Sequence, residues 1–181
     1  MGGCEGALRC SLLVGILLCL AATSQGAILI AYFNNPLLPG DTQTAYPGSY
    51  GLLSSSFSLA QTLHPTSTAA GAGKATGGPV MITKTGDVSS ANFELLQLQN
   101  TILPKVIISS IKGDPPVPLF NITLTNVEIT SNYFSLANHD SEIISITLNY
   151  QALKTTYYDY SIRGLATQQN VAWNFALNKQ A

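Results

Sequence analysis

The chain has 181 residues, of which 9% are charged, with a formal net charge of −1; this is room for one ordinary domain rather than two. Its basic residues are scattered and form no patch that could neutralise a row of phosphates, which argues against nucleic-acid binding. The surface must instead be covered by Ser, Thr, Asn and Gln, and sparse charge weakens the repulsion that keeps monomers apart.

Residues 1–26 read as a signal peptide. Arg9 supplies a short positive region, Cys10 to Ala22 is an unbroken run of apolar and small residues, and Thr23-Ser24-Gln25-Gly26 offers small residues before a cut, placed between Gly26 and Ala27. The run is shorter than the roughly 20 residues a membrane-crossing helix needs, so no stable span is expected after cleavage; an uncleaved signal anchor is the alternative. All three cysteines (Cys4, Cys10, Cys19) fall in this leader. The mature chain, residues 27–181, therefore has no disulfide, thiolate or cysteine-bound metal, and must be held by apolar burial. The expected location is secreted and extracellular, or periplasmic if the source is bacterial and the protein is not released.

The mature part reads as strands with one helix. Ala27 to Phe33 is a short apolar strand closed by Asn34-Asn35-Pro36, and Tyr50 to Leu63 a second, with Phe57 and Leu59 two apart. His64 to Gly78 is small, polar and Gly-rich, as an exposed flexible loop is. Pro79 to Thr85 returns to a strand. A helix is predicted from Ser90 to Asn100, capped by Ser90, with Glu94 in its first turn and Pro104 preventing its extension. Phe93 with Leu96, and Leu95 with Leu98, are read as one apolar stripe lying on a sheet.

Lys105 to Lys112 is strand-like and ends at the turn Gly113-Asp114-Pro115-Pro116. Phe120, Ile122 and Leu124 alternate, and the phase then slips to Val127 and Ile129, which predicts a β-bulge near Thr125-Asn126. After a polar turn from Ala137 to Ser141, Ile144, Ile146, Leu148 and Tyr150 alternate, and Val171, Trp173 and Phe175 do so in a last strand. Seven or so strands with one helix predict a mainly β fold, a two-sheet antiparallel barrel or sandwich with a flanking helix at about residues 90–100.

The search for chemistry is largely negative, and no enzyme activity, cofactor or metal is expected. His64 and His139 are too few for a histidine-built metal site. His139 lies in Asn138-His139-Asp140-Ser141-Glu142, which holds the residue types of a hydrolase triad, but adjacent residues cannot converge as nucleophile, base and orienter must. Gly71-Ala72-Gly73-Lys74-Ala75 resembles the end of a phosphate-binding loop, yet Ala75 replaces the required hydroxyl residue and Thr68 the first glycine. Asn121-Ile122-Thr123 is a sequon for N-glycosylation, with Asn121 expected to face away from Ile122. Tyr157, Tyr158, Tyr160 and Trp173 could form an aromatic sugar-binding platform, with core packing the plainer alternative.

Taken in order, several segments resemble one family. Gly51 to Gln61 (GLLSSSFSLAQ) resembles its early strand, and Gly71-Ala-Gly-Lys74 the end of its Gly-rich loop. Ile82-Thr-Lys84 followed by Asp87 to Asn100 is similar to the Phe-Thr-Lys segment leading into the family's single helix. Leu119 to Ser131 (LFNITLTNVEITS), Ile144 to Tyr150 (ISITLNY) and Trp173-Asn174 are similar to later strands. The family is that of the haemolysin-coregulated proteins (Hcp), tube subunits of bacterial type VI secretion. The resemblance implies a two-sheet β-barrel with a flanking helix, a homo-oligomer built as a hexameric ring, and rings stacked head to tail into a tube that carries or accompanies secreted effector proteins. It implies a ring-stacking contact for the loop bearing His64, Gly71, Gly73 and Lys74. The signal peptide and the nearly uncharged stretch from Asn34 to Ser49 depart from the family pattern. The reading that follows is a secreted structural subunit of an Hcp-like ring or tube; a monomeric secreted β-sandwich module binding a glycan or protein is the alternative.

Overall fold

The computed structural model describes residues 26–41, 46–61, 74–136, 142–162 and 165–181, without the side chains of 161, 162, 165 and 166. The leader expected at 1–26 therefore lies outside the described residues but for Gly26. Eleven strands and one helix are described: β1 (Ile28–Phe33), β2 (Ser49–Leu52), β3 (Ser54–Ser56), β4 (Leu59–Gln61), β5 (Ala75–Gly77), β6 (Val80–Thr85), α1 (Ser90–Leu98), β7 (Leu103–Lys112), β8 (Val117–Ser135), β9 (Ile143–Ile162), β10 (Leu165–Asn174) and β11 (Lys179–Gln180).

Every described pairing is antiparallel. The main ladder runs β11-β10-β9-β8-β7-β1-β2, with β6 joining the first half of β9 on the edge that β10 takes farther along, and β3 joining β6; β4 and β5 form a separate hairpin. The ladder does not close on itself, so of the two predicted architectures the structure adopts the sandwich and not a closed barrel. The layers share β8 and β9. Residues 152–159 of β9 pair with β10, whereas residues 143–148 pair with β6.

The change of layer has a local cause. Leu103 and Val106, Leu124 and Val127, and Tyr150 and Leu153 are each three apart along their strands, yet all pack in or against the one core. The residues between them, Pro104-Lys105, Thr125-Asn126 and Gln151-Ala152, turn outward or lie at the margin. Three neighbouring strands therefore slip phase together. Pro104 has no N–H to give the ladder, Asn126 takes a left-handed backbone at φ 51°, and Asn126 Nδ2 donates to Gln151 Oε1. The predicted bulge at Thr125-Asn126 is thus a corner in unbroken register: Thr125 pairs Ala152 and Val127 pairs Tyr150. True register shifts lie elsewhere in β8, between Ile129 and Ser131 against β9, and opposite Ser110-Ile111 of β7.

Helix α1 is shorter than predicted. It stops because Asn100 adopts φ 49° and its successor Thr101 donates its N–H back to Leu96 O at 3.0 Å, a left-handed stop; Pro104 lies inside β7. Ser89 rather than Ser90 occupies the cap position, without a side-chain cap bond, and no acid lies in the first turn. Of the predicted stripe, Phe93 and Leu96 are buried while Leu95 and Leu98 face outward. Phe93 meets Phe33 and Tyr50 edge to face at 5.1 and 5.4 Å between ring centroids. Gln97 donates to Thr130 O and accepts from Asn132 Nδ2 on the far half of β8. The helix thereby bridges β1 and β2 to distal β8.

The long strand predicted from Tyr50 to Leu63 is three short ones, because the chain changes partners. β2 pairs β1, the Leu53 N–H donates to Thr83 O at 2.7 Å, and β3 then pairs β6. The β1–β2 connection requires glycine at Gly40, where φ is 80° and a Cβ would fall 2.2 Å from the Gly48 carbonyl carbon.

Lys84, on β6, is only 1% exposed. Its ammonium donates to Asp87 Oδ2 and to Thr85 O, each at 2.8 Å, and stands 5.3 Å from the Tyr50 ring centroid. Partial burial of the Asp87 carboxyl pulls its pKa upward, but bonds from Lys84 and Ser89 outweigh this and hold it below the usual value.

Replacing Phe93 with Ala is expected to cost about 3–5 kcal/mol in denaturant unfolding, against about 0.5 kcal/mol or less for Leu98→Ala. Because the folded pKa of Asp87 is depressed, its contribution is complete above the unfolded value of roughly 4 and is lost as pH falls through the folded value. Asp87→Asn should therefore be less stable than the wild type at pH 7, and the gap should narrow on acidification, as urea midpoints at the two pH values will show.

Candidate assembly surface

Among the described residues, those singled out in the sequence are not gathered into a reactive centre. His64, Gly71 and Gly73 lie outside the described residues, as does His139 with its neighbours through Ser141. Lys74 is exposed at the foot of β5. Among the described residues no three of His, Cys, Asp or Glu stand close enough together to hold a metal ion, and no helix is long and apolar enough to cross a membrane.

Asn121 sits mid-strand in β8, with Ile122 in the core beside it. It faces the other way, as predicted, but it is half-buried and not free: its Nδ2 donates to the Tyr158 hydroxyl at 3.2 Å. It borders a groove of about 350 Å³ with Ile30, Tyr32, Tyr46, Pro47 and Ser109.

The predicted aromatic platform is split between two faces of the sheet. Successive residues of a strand point to opposite sides, so Tyr157 leaves the face that Tyr158 and Tyr160 share. Tyr158 and Tyr160 stack with centroids 6.5 Å apart, and Tyr160 donates to Pro118 O. Tyr157 packs on Phe120 at 4.5 Å, and Phe120 stacks on Phe57. Trp173 pairs Leu153, and so lies on the Tyr157 side.

The predicted loop from His64 to Gly78 contains structure at its end. Residues Ala75–Gly77 are a strand, β5, paired with β4 by Leu59↔Gly77, Ala60↔Thr76 and Gln61↔Ala75. Two strands of three residues are not stable alone in water, and this hairpin is fastened to the sandwich: Tyr150 donates to Gly78 O at 3.0 Å and Asn178 Oδ1 accepts from Ala75 N at 3.1 Å.

What the described surface offers is edges and apolar side chains. Among the described residues, the outer edge of β10 has no strand partner from Thr167 to Val171, since β11 pairs only Trp173 and Asn174. This stretch, Thr-Gln-Gln-Asn-Val, carries no Lys or Pro to blunt it, and the register shift of β10 lies at its start, between Leu165 and Thr167. Beyond the corner, residues 131–135 of β8 pair only β9 among the described strands. The end of that ribbon shows Tyr133 (67% exposed), Leu136 (72%), Phe134 and Ile143 to solvent. Around α1, Val88 (98%), Leu95, Leu98 and Ile102 are also exposed. A monomer rarely leaves so much apolar surface beside open β-edges without a use for it.

The described residues define a mainly β antiparallel sandwich with one bridging helix and open edges. Comparison with known proteins gives the family. Residues 34–157 match the model of the type VI secretion system effector, Hcp, and the chain belongs to that family. Among solved structures, it is similar to a type six secretion system protein (17% identity, covering 86% of this chain and all of the other, TM-score 0.76). It is also similar to Hcp1 from Salmonella typhimurium (16%, covering 87% and 100%, TM-score 0.69). A type VI secretion system effector from Yersinia pestis matches with 15% identity over 78% of this chain and 97% of the other, at a TM-score of 0.62. Comparison with curated proteins finds no match. At these identities the solved structures establish the fold, and the family match establishes membership.

The double variant Tyr133→Ser/Leu136→Ser is expected to weaken self-association at least tenfold in sedimentation equilibrium. Folding stability should change by no more than about 1 kcal/mol, because both side chains are largely in water already.

Proposed function

We propose that the chain is a structural, non-catalytic subunit that assembles with copies of itself into a ring, six-fold by family resemblance, and that rings stack into a tube outside the cytoplasm. The observation that carries this reading is the family match over residues 34–157. The fold supplies physical support. A closed ring covers by rotation what one sandwich leaves open, since a heterologous contact that closes uses both partner surfaces of every copy. Low charge removes the repulsion that would otherwise oppose it. The splitting of the tyrosines and Trp173 over two faces takes away the observation that favoured a monomeric glycan-binding module.

Export rests on the leader at residues 1–26, and effector proteins are the proposed cargo. Lys74 and the loop preceding it are the proposed contact between rings. Asn121 is proposed as a glycan acceptor only before folding completes, because its amide nitrogen is engaged in the folded sheet.

Native mass spectrometry of the mature protein tests the reading. It should show a six-subunit species, with each subunit lacking the mass of residues 1–26; a monomer at every concentration up to the millimolar range would contradict assembly.

A further inference from the structure

We infer that the C-terminal turn Phe175–Asn178, acting with Tyr150, is a positioning clamp that fixes the direction in which the β4–β5 hairpin leaves the sandwich, and so governs whether one ring can seat on the next. The second half of this inference rests on the proposed tube.

The clamp is made of contacts from three parts of the chain. From β9, the Tyr150 hydroxyl donates to Gly78 O at 3.0 Å, and burial pushes the phenol's pKa up. From the turn, the Phe175 ring meets Tyr150 edge to face at 5.7 Å, and its N–H donates to Gln151 O at 3.0 Å. Asn178, in a left-handed conformation at φ 49°, accepts from Ala75 N at 3.1 Å. Asn174 Oδ1 accepts from Leu177 N at 3.0 Å, which shapes the turn that presents Asn178.

Gly77 is where the hairpin enters the clamp. A Cβ there would lie 2.5 Å from the Tyr150 hydroxyl oxygen and 3.0 Å from the Phe175 Cζ. Its φ is not in the left-handed region, so the requirement for glycine is one of space and not of backbone conformation. The hairpin also has bonds that the clamp does not make: Thr76 Oγ1 to Ala60 O, Gly78 N to Ser58 O, and the β4–β5 pairs. What the clamp adds is direction. Tyr150 and Gly77 lie within the family match over residues 34–157, whereas Phe175 and Asn178 lie beyond it, so the seat joins matched residues to others outside the match.

The test uses the mature chain with Gly77→Ala, with Phe175→Leu/Asn178→Ala, and with an Ala60→Cys/Thr76→Cys staple added to each. Single-ring mass is read by native mass spectrometry, and the share of stacked rings by negative-stain imaging. Both clamp variants should keep single rings and lose stacking at least tenfold, and the oxidised staple, which closes the hairpin without restoring its seat, should not recover it. Stacking equal to wild type in both variants would overturn the inference. So would recovery by the staple, because the clamp would then serve only the stability of the hairpin. Absence of rings in the wild type itself would defeat the proposed function first, and the inference with it.

Discussion

The corner shared by β7, β8 and β9 is the constraint on which the rest of this molecule depends. Pro104, Asn126 and Gln151 stand side by side where each strand steps three residues between inward side chains instead of two. Without that step, alternation would carry Val127 and Ile129 to the solvent face, since a one-residue slip exchanges the two faces of a strand. With it, the same two long strands keep their apolar side on one core while changing neighbours, and β9 exchanges β6 for β10 along its length. The core residues Val80, Ile82, Ile144, Ile146 and Leu148 beyond the corner, and Phe33, Val106, Ile108 and Leu124 before it, form one cluster because of that turn.

Much of this was legible in the sequence where a single physical rule dominates. Ile144, Ile146 and Leu148 alternate and are all buried; Phe93 and Leu96 are the buried face of the helix. The phase slip after Leu124 was visible, but a bulge and a corner give the same one-strand pattern. Only the neighbouring strands distinguish them, and a sequence does not announce its neighbours. Leu95 and Leu98 were read into the core because their spacing is helical, yet spacing cannot say how wide a stripe the sheet will cover. Lys84 was overlooked although the signal was present: it stands two residues from Ile82 on an alternating strand, and therefore on the buried side. The hairpin β4–β5 could not be found, since Ala75-Thr76-Gly77 has no apolar alternation and owes its form to Tyr150, Phe175 and Asn178, distant in sequence.

Assembly follows from what this arrangement leaves undone. Among the described residues, open edges remain at Thr167–Val171 on β10 and from Ser131 onward on β8. Charged side chains, the usual guards of such edges, are few throughout the chain. In a subunit meant to stay single these would be faults. In a member of the Hcp family they are the surfaces from which the proposed ring would be made.

Amide hydrogen exchange on the mature protein at low and high concentration addresses the central claim most directly. The account predicts that amides of β8 and β9 on both sides of Asn126 and Gln151 exchange slowly and together at either concentration, as one cooperative unit. It also predicts that edge amides between Thr167 and Val171 are fast when dilute and slow when concentrated. Separate exchange of the two halves of β8 and β9, or edge amides indifferent to concentration, would contradict it.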